Sequence, residues 1–116
     1  SAVPTVHASA TLAEAVIEMS GKGMGMTAVV DSDACVAGIF TDGDLRRAFE
    51  KRIDPQSARI DSVMHTGPRL IGPDRLAVEA VEMMERFRIN ALLVVDGDGR
   101  LAGALNMHDL FTAKVI

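Results

Sequence analysis

Glu14-Ala15-Val16-Ile17-Glu18-Met19 returns 65 residues later as Glu79-Ala80-Val81-Glu82-Met83-Met84, and the match continues in register. Val29-Val30-Asp31 meets Val94-Val95-Asp96, and Asp33 meets Asp98. Ala37-Gly38 meets Ala102-Gly103, and Asp44-Leu45 meets Asp109-Leu110. Between Glu14 and Ala48, 13 of 35 positions are identical without a gap, where ordinary composition gives about two or three by chance. Self-similarity at a fixed period describes the whole fold, so it governs every local reading that follows.

Each copy has the same internal plan. An extended start, Val3 to Val6 or Arg69 to Ile71, leads into a helix. Leu12, Ala15, Val16 and Met19 form one apolar stripe at i, i+3, i+4 and i+7, and Ala77, Ala80, Val81 and Met84 repeat it. A β-rich run follows, Met26 to Val30 or Ala91 to Val95. Asp31-Ser32-Asp33 and Asp96-Gly97-Asp98-Gly99 predict hairpin turns. The second strands run from Cys35 to Phe40 and from Arg100 to Leu105, and second helices begin near Asp42 and near Met107. The order is β-α-β-β-α twice. Residues 1–52 make the first copy, 53–66 (with Pro55) a connector whose 61–66 end forms a short helical turn, and 67–116 the second copy. A unit of about 45 residues buries too little surface alone. The expected architecture is therefore mixed α/β (α+β): two pseudo-symmetric repeats packed through their sheets, helices outside, with a cleft per repeat at the junction.

Composition narrows the function. The chain has 116 residues, 48% of them apolar, with 12 basic and 16 acidic side chains and a net charge of −4. That balance argues against a nucleic-acid or anionic-membrane surface. With four Phe and neither Tyr nor Trp, a base-stacking platform has little to work with. No apolar run approaches the roughly 20 residues of a membrane span, and no signal peptide is expected. The single cysteine, Cys35, excludes an internal disulfide and a cysteine-built zinc site. It fits a reducing, cytoplasmic setting.

Gly38-Ile39-Phe40-Thr41-Asp42-Gly43-Asp44 ends a strand and opens a helix. Gly38 permits a close approach to the backbone. Thr41 and Asp44 have the spacing of a capping box. The same geometry suits a ligand: free N–H groups at a helix start attract phosphate, Thr41 offers a hydroxyl, Asp44 can accept both hydroxyls of a ribose, and Arg46 and Arg47 can neutralise phosphate. Both readings stand on the residues alone. The second copy offers Asn106, His108 and Asp109, with Phe111 and Thr112 in place of the two arginines, so the first cleft is the better suited to an anion.

Other motifs carry less. Gly21-Lys22-Gly23-Met24-Gly25-Met26 lacks the spacing of a phosphate loop and is expected to end a helix. Asp96 to Gly99 resembles part of a calcium loop, but Met107 stands where the closing Glu belongs. His7, His65 and His108 share no metal spacing, although His65 and His108 stand where a ligand can reach them. Glu14, Glu79, Glu82 and Glu85 have solvent-facing helical spacing. No catalytic residue and no metal site are expected.

Two β-α-β-β-α copies, each closing on Gly-x-x-Thr/Asn-x-x-Asp, resemble a tandem CBS domain pair, or Bateman module. Val63-Met64-His65-Thr66 is similar to the entry of such a domain. Lys22-Gly23-Met24-Gly25-Met26-Thr27, the stretch from Gly38 to Arg47, and Met107-His108-Asp109-Leu110 resemble the carboxy-terminal region of the bacterial arabinose 5-phosphate isomerase (sugar isomerase–CBS) family. The resemblance implies a missing amino-terminal isomerase domain that carries all the catalysis, in Kdo and lipopolysaccharide biosynthesis and carbohydrate metabolism. It implies that this chain is regulatory and not itself an enzyme. It also implies that Asp44 and Asp109 hold ribose hydroxyls and Thr41 holds phosphate, while Asn106 departs from the usual Thr or Ser. The implied ligands are an adenine nucleotide (AMP or ATP) or the nucleotide sugar CMP-Kdo, with no required cofactor. The implied assembly is a homodimer through the CBS pairs. The alternative is a dimerisation scaffold without a physiological ligand.

Overall fold

The structure, a computed structural model, describes residues 3–75 and 77–106. It divides into two units, Ser1–Pro68 and Arg69–Ile116.

The first unit contains β1 (Thr5–His7), α1 (Leu12–Lys22), β2 (Met26–Val30), β3 (Val36–Thr41), α2 (Asp42–Glu50), a 3-10 turn (Ile60–Ser62) and β4 (His65–Thr66). The strands lie in the order β1-β2-β3-β4, with β1 parallel to β2 and the other pairs antiparallel. α1 starts where Thr11 accepts from the Glu14 amide while the Glu14 side chain accepts from Thr11 N–H, a full capping box. It stops at Gly23, whose φ of 67° admits the left-handed turn and whose N–H reaches the Met19 carbonyl. Its stripe buries Leu12, Ala15 and Met19 against Val29, Phe40, Ala48 and Ile60. Phe40 is wholly buried, which is worth about 1.5–3 kcal/mol.

Residues 53–66 pack into this unit. Leu12 N–H donates to the Ala58 carbonyl at 2.9 Å, and Ile60 N–H to the Ala10 carbonyl at 2.7 Å. The short helical turn expected over 61–66 is instead the 3-10 turn followed by β4, which pairs Gly38 with Thr66 and Ile39 with His65. The open edge of β3 offers backbone donors and acceptors that an adjacent two-residue strand satisfies. Local periodicity carries no sign of this.

The second unit contains β5 (Leu70–Ile71), α3 (Ala77–Phe87), β6 (Ala91–Val95) and β7 (Leu101–Asn106), in sheet order β5-β6-β7. Ala80, Val81 and Met84 bury the stripe of α3 against Ile71 and Leu92. The helix expected from near Met107 lies outside the described residues.

The repeat extends to irregularities. Met26 pairs with Thr41 as Ala91 pairs with Asn106, and the ladder shifts at Val29/Val30 as it does at Val94/Val95. Both hairpin loops are braced by an aspartate. Asp31 Oδ1 accepts from the amides of Asp33 and Cys35, and Asp96 Oδ1 from those of Asp98 and Arg100. Each loop also needs one left-handed residue, Gly99 at φ 82° and Ala34 at φ 65°.

Candidate functional site

The end of β3 and the start of α2 gather the first copy's candidate residues. Thr41 is both the last residue of β3 and the N-cap of α2. Its Oγ1 accepts from the Asp44 amide at 3.3 Å. Asp44 Oδ2 accepts from the Thr41 amide at 3.0 Å and from the Thr41 hydroxyl at 3.1 Å. Asp44 Oδ1 accepts from Arg47. The capping reading of these residues is thus realised, and both Asp44 oxygens hold partners from the chain itself. The Asp44 side chain is about 10% exposed and that of Arg47 58%. The Oδ2 side of the carboxylate is therefore held in the helix cap, while the Oδ1 side is covered by a solvent-exposed arginine.

The first turn of α2 carries two carboxylates, Asp42 and Asp44. They already answer the positive end of the helix dipole, so an anion meets less attraction here than at a bare helix start. Arg46 is exposed on the same helix.

Gly38 is buried in mid-strand, and its close approach is made by the chain itself. A Cβ at this position would lie 2.5 Å from Met64 Sδ and 2.8 Å from the His65 carbonyl oxygen. His65 is exposed in β4. Asn106 closes β7 at the position equivalent to Thr41. His108 and Asp109 lie outside the described residues. Thr41, Asp44 and Arg47 are therefore brought into one hydrogen-bonded group, while Gly38 lies close to the His65 backbone where β3 pairs with β4.

A cavity of about 280 Å³ opens beside the first group, lined by Val16, Met19, Ser20, Gly25, Asp42 and Leu45 among others. Asp42 N–H donates to the Gly25 carbonyl at 3.1 Å. A Cβ on Gly25, whose φ is +71°, would stand 3.0 Å from Asp42 Oδ2. The glycine-rich stretch thus ends α1 and lets the chain pass close to the head of α2. The sequence reading missed this contact, and spacing alone cannot reveal it. A second tie was also missed. Glu18 accepts from the Thr5 amide at 2.9 Å and from Lys22 at 3.0 Å. The Thr5 amide, followed by Lys22, holds the Glu18 carboxyl below its ordinary range. Among the described residues, no group of three or more His, Cys, Asp or Glu is placed to hold a metal ion, and no helix is long and apolar enough to cross a membrane.

Two repeats, each carrying β-α-β-β and closing its last strand on Thr41 or Asn106, have the plan of CBS domains, and the chain belongs to that family: the CBS domain pattern matches residues 1–51 and 60–115. Among curated relatives, the arabinose 5-phosphate isomerase KdsD of Pseudomonas aeruginosa is 48% identical over 114 residues, covering 98% of this chain and 35% of that protein. The chain thus spans about a third of the length of such relatives. Among solved structures, a signal-transduction protein with CBS domains from Burkholderia ambifaria superposes with a TM-score of 0.87 at 29% identity, covering 98% of this chain and 83% of that one. A CBS domain protein from Pyrobaculum aerophilum complexed with AMP superposes with a TM-score of 0.86 at 23% identity, covering 93% and 82%. At that identity it speaks for the fold alone.

Proposed function

We propose that the chain is the regulatory CBS pair of a cytoplasmic arabinose 5-phosphate isomerase, and that it senses a ligand containing ribose and phosphate. The chemistry of that enzyme belongs to an amino-terminal sugar isomerase domain, as the shared third of the KdsD relative suggests. The ligand is an adenine nucleotide such as AMP or ATP, or CMP-Kdo, and no further cofactor is needed. The mechanism is a population shift: ligand favours one arrangement of the pair, which biases the attached enzyme domain.

One observation carries this reading. Asp44 keeps Oδ2 in the helix cap while Oδ1 faces only the exposed Arg47. A ribose diol displaces Arg47 from Oδ1, and the released guanidinium turns to the phosphate beside Thr41 and Arg46. In the second copy, Asn106, His108 and Asp109 provide the corresponding groups by their place in the repeat, and His65 is a further candidate contact. Gly38 serves β4 and needs no ligand.

The test is calorimetric titration of the wild type and Asp44→Asn with AMP, ATP and CMP-Kdo. Asparagine keeps an acceptor for the cap and removes the charge that the diol needs. A charged hydrogen bond is worth about 1.5–3 kcal/mol, so Asp44→Asn should weaken binding about tenfold or more. Equal affinities would refute the assignment.

A second reading, a dimerisation scaffold, is favoured by Phe49 and Ile17, which are 84% and 72% exposed on α2 and α1. The two readings are compatible if the homodimer forms through these helices.

A further inference from the structure

We infer that Arg69, Arg86 and the ring of Phe87 form a second anion site, on the second unit, built for the dianionic phosphate of a small metabolite. Most arginines with a partner in this chain have spent their donors on carboxylates: Arg47 on Asp44, Arg59 on Asp61 and Arg75 on Glu79. Arg69 and Arg86 differ. The Arg69 guanidinium carbon lies 3.8 Å from the centroid of the Phe87 ring, and that of Arg86 lies 5.5 Å from the same centroid. Among the described residues, neither guanidinium holds a carboxylate.

A ring holds a guanidinium through its face and leaves the N–H edges unused. Phe87 therefore positions two sets of forked donors without consuming them. Arg86 stands in the last turn of α3, where the helix dipole favours a cation. Arg69 stands at the entry to β5, exposed like Arg86. Two like charges gathered on one ring repel each other, and a ligand bearing two negative charges removes that repulsion. Guanidinium matches phosphate oxygens in forked pairs. The whole chain is acidic, at net −4, so general attraction does not bring anions here, and any anion affinity must come from local geometry. The site lies wholly within the second unit and uses none of the residues assigned to ribose above, so it stands apart from that reading.

The probe is inorganic phosphate, titrated into the full 116-residue chain at constant ionic strength and followed by amide chemical shifts, with acetate and chloride as controls. Saturable shifts are expected at Arg69, Leu70 and residues 86–88. Arg69→Gln and Arg86→Gln should each weaken phosphate about tenfold. Arg69→Lys should weaken it less, since the charge remains and only the fork is lost. Phe87→Leu keeps both charges and should also weaken it, because the donors lose their support. Arg59→Gln on the first unit, where the guanidinium is already paired with Asp61, should leave these shifts unchanged. The inference is overturned if phosphate shifts nothing at these residues, if acetate binds as well as phosphate, or if Arg59→Gln weakens binding here as much as the two site variants do.

Discussion

Gly38 lies so close to Met64 that a side-chain carbon on the glycine would stand 2.5 Å from the methionine sulfur, and 2.8 Å from the carbonyl oxygen of His65. Among the described residues, its repeat partner, Gly103, has only the Val94 side chain nearby, at 3.7 Å. Gly38→Ala should therefore force β4 off the edge of β3 and cost about 1–3 kcal/mol, the range for overpacking. Gly103→Ala should be neutral or slightly stabilising, because alanine removes unfolded-state freedom without a clash. Urea unfolding of the two variants checks this, and equal losses would contradict it.

The hairpin loops make a second pair. Asp31 and Asp96 brace equivalent turns, but the left-handed residue is Ala34 in one and Gly99 in the other. A left-handed alanine costs about 1–2 kcal/mol, against about 0.5–1 kcal/mol for the extra freedom of glycine. Ala34→Gly should raise stability by about 0.5 kcal/mol, and Gly99→Ala should lower it by a similar amount. Opposite signs in thermal melts are the expected outcome.

Glu18 ties α1 to the start of β1 through the Thr5 amide and sits below its ordinary value of 4.5 in the folded chain. The unfolded chain takes up this proton first as pH falls. The stabilisation is therefore complete above about pH 4.5 and is lost as pH drops through the lower folded value. Glu18→Gln should destabilise the protein at pH 7 and flatten the stability curve in that acid window. Urea midpoints measured from pH 7 to pH 3 test the sign.

Thr41 accepts the Asp44 amide at the head of α2. Thr41→Val keeps the β-branched shape and removes the hydroxyl, so it should cost about 1 kcal/mol of stability. On the ligand reading it should also weaken nucleotide binding. Melting curves and titration on one sample separate the two effects: loss of stability with unchanged affinity leaves Thr41 as a cap alone.

Phe49 is 84% exposed beside an apolar cavity of about 380 Å³ lined by Leu12, Leu45, Ile53 and Pro55 among others. Phe49→Ser should leave the monomer's stability within about 0.5 kcal/mol, as for most surface changes. It should convert a dimer to monomer in sedimentation velocity. A wild-type chain that sediments as monomer at micromolar concentration would remove the α2 face from consideration as an interface.

The repeat, the β-α-β-β order of each copy and the core stripes are legible in the chain, because each copy announces its elements locally, whereas β4 is not. Periods of 2 and 3.6 mark each strand and helix, and a 65-residue echo of Glu14-Ala15-Val16 says that the plan is used twice. The Thr41–Asp44 cap was legible too, since its partners stand three residues apart. So was the end of α1 at its glycines. Other features depend on residues that are distant along the chain. β4 pairs with β3 only because Gly38 has no side chain where Met64 and His65 arrive. Glu18 meets Thr5, Gly25 meets Asp42, and Arg69 meets Phe87 only once the sheets have set their neighbours. Residue types could list Asp44 as a ribose acceptor, but only the fold shows that one of its oxygens is committed to the cap and the other lies under Arg47. Periodicity reports what each residue prefers within a few positions, whereas a hydrogen-bond partner is chosen by three-dimensional proximity, and that is decided when the chain packs.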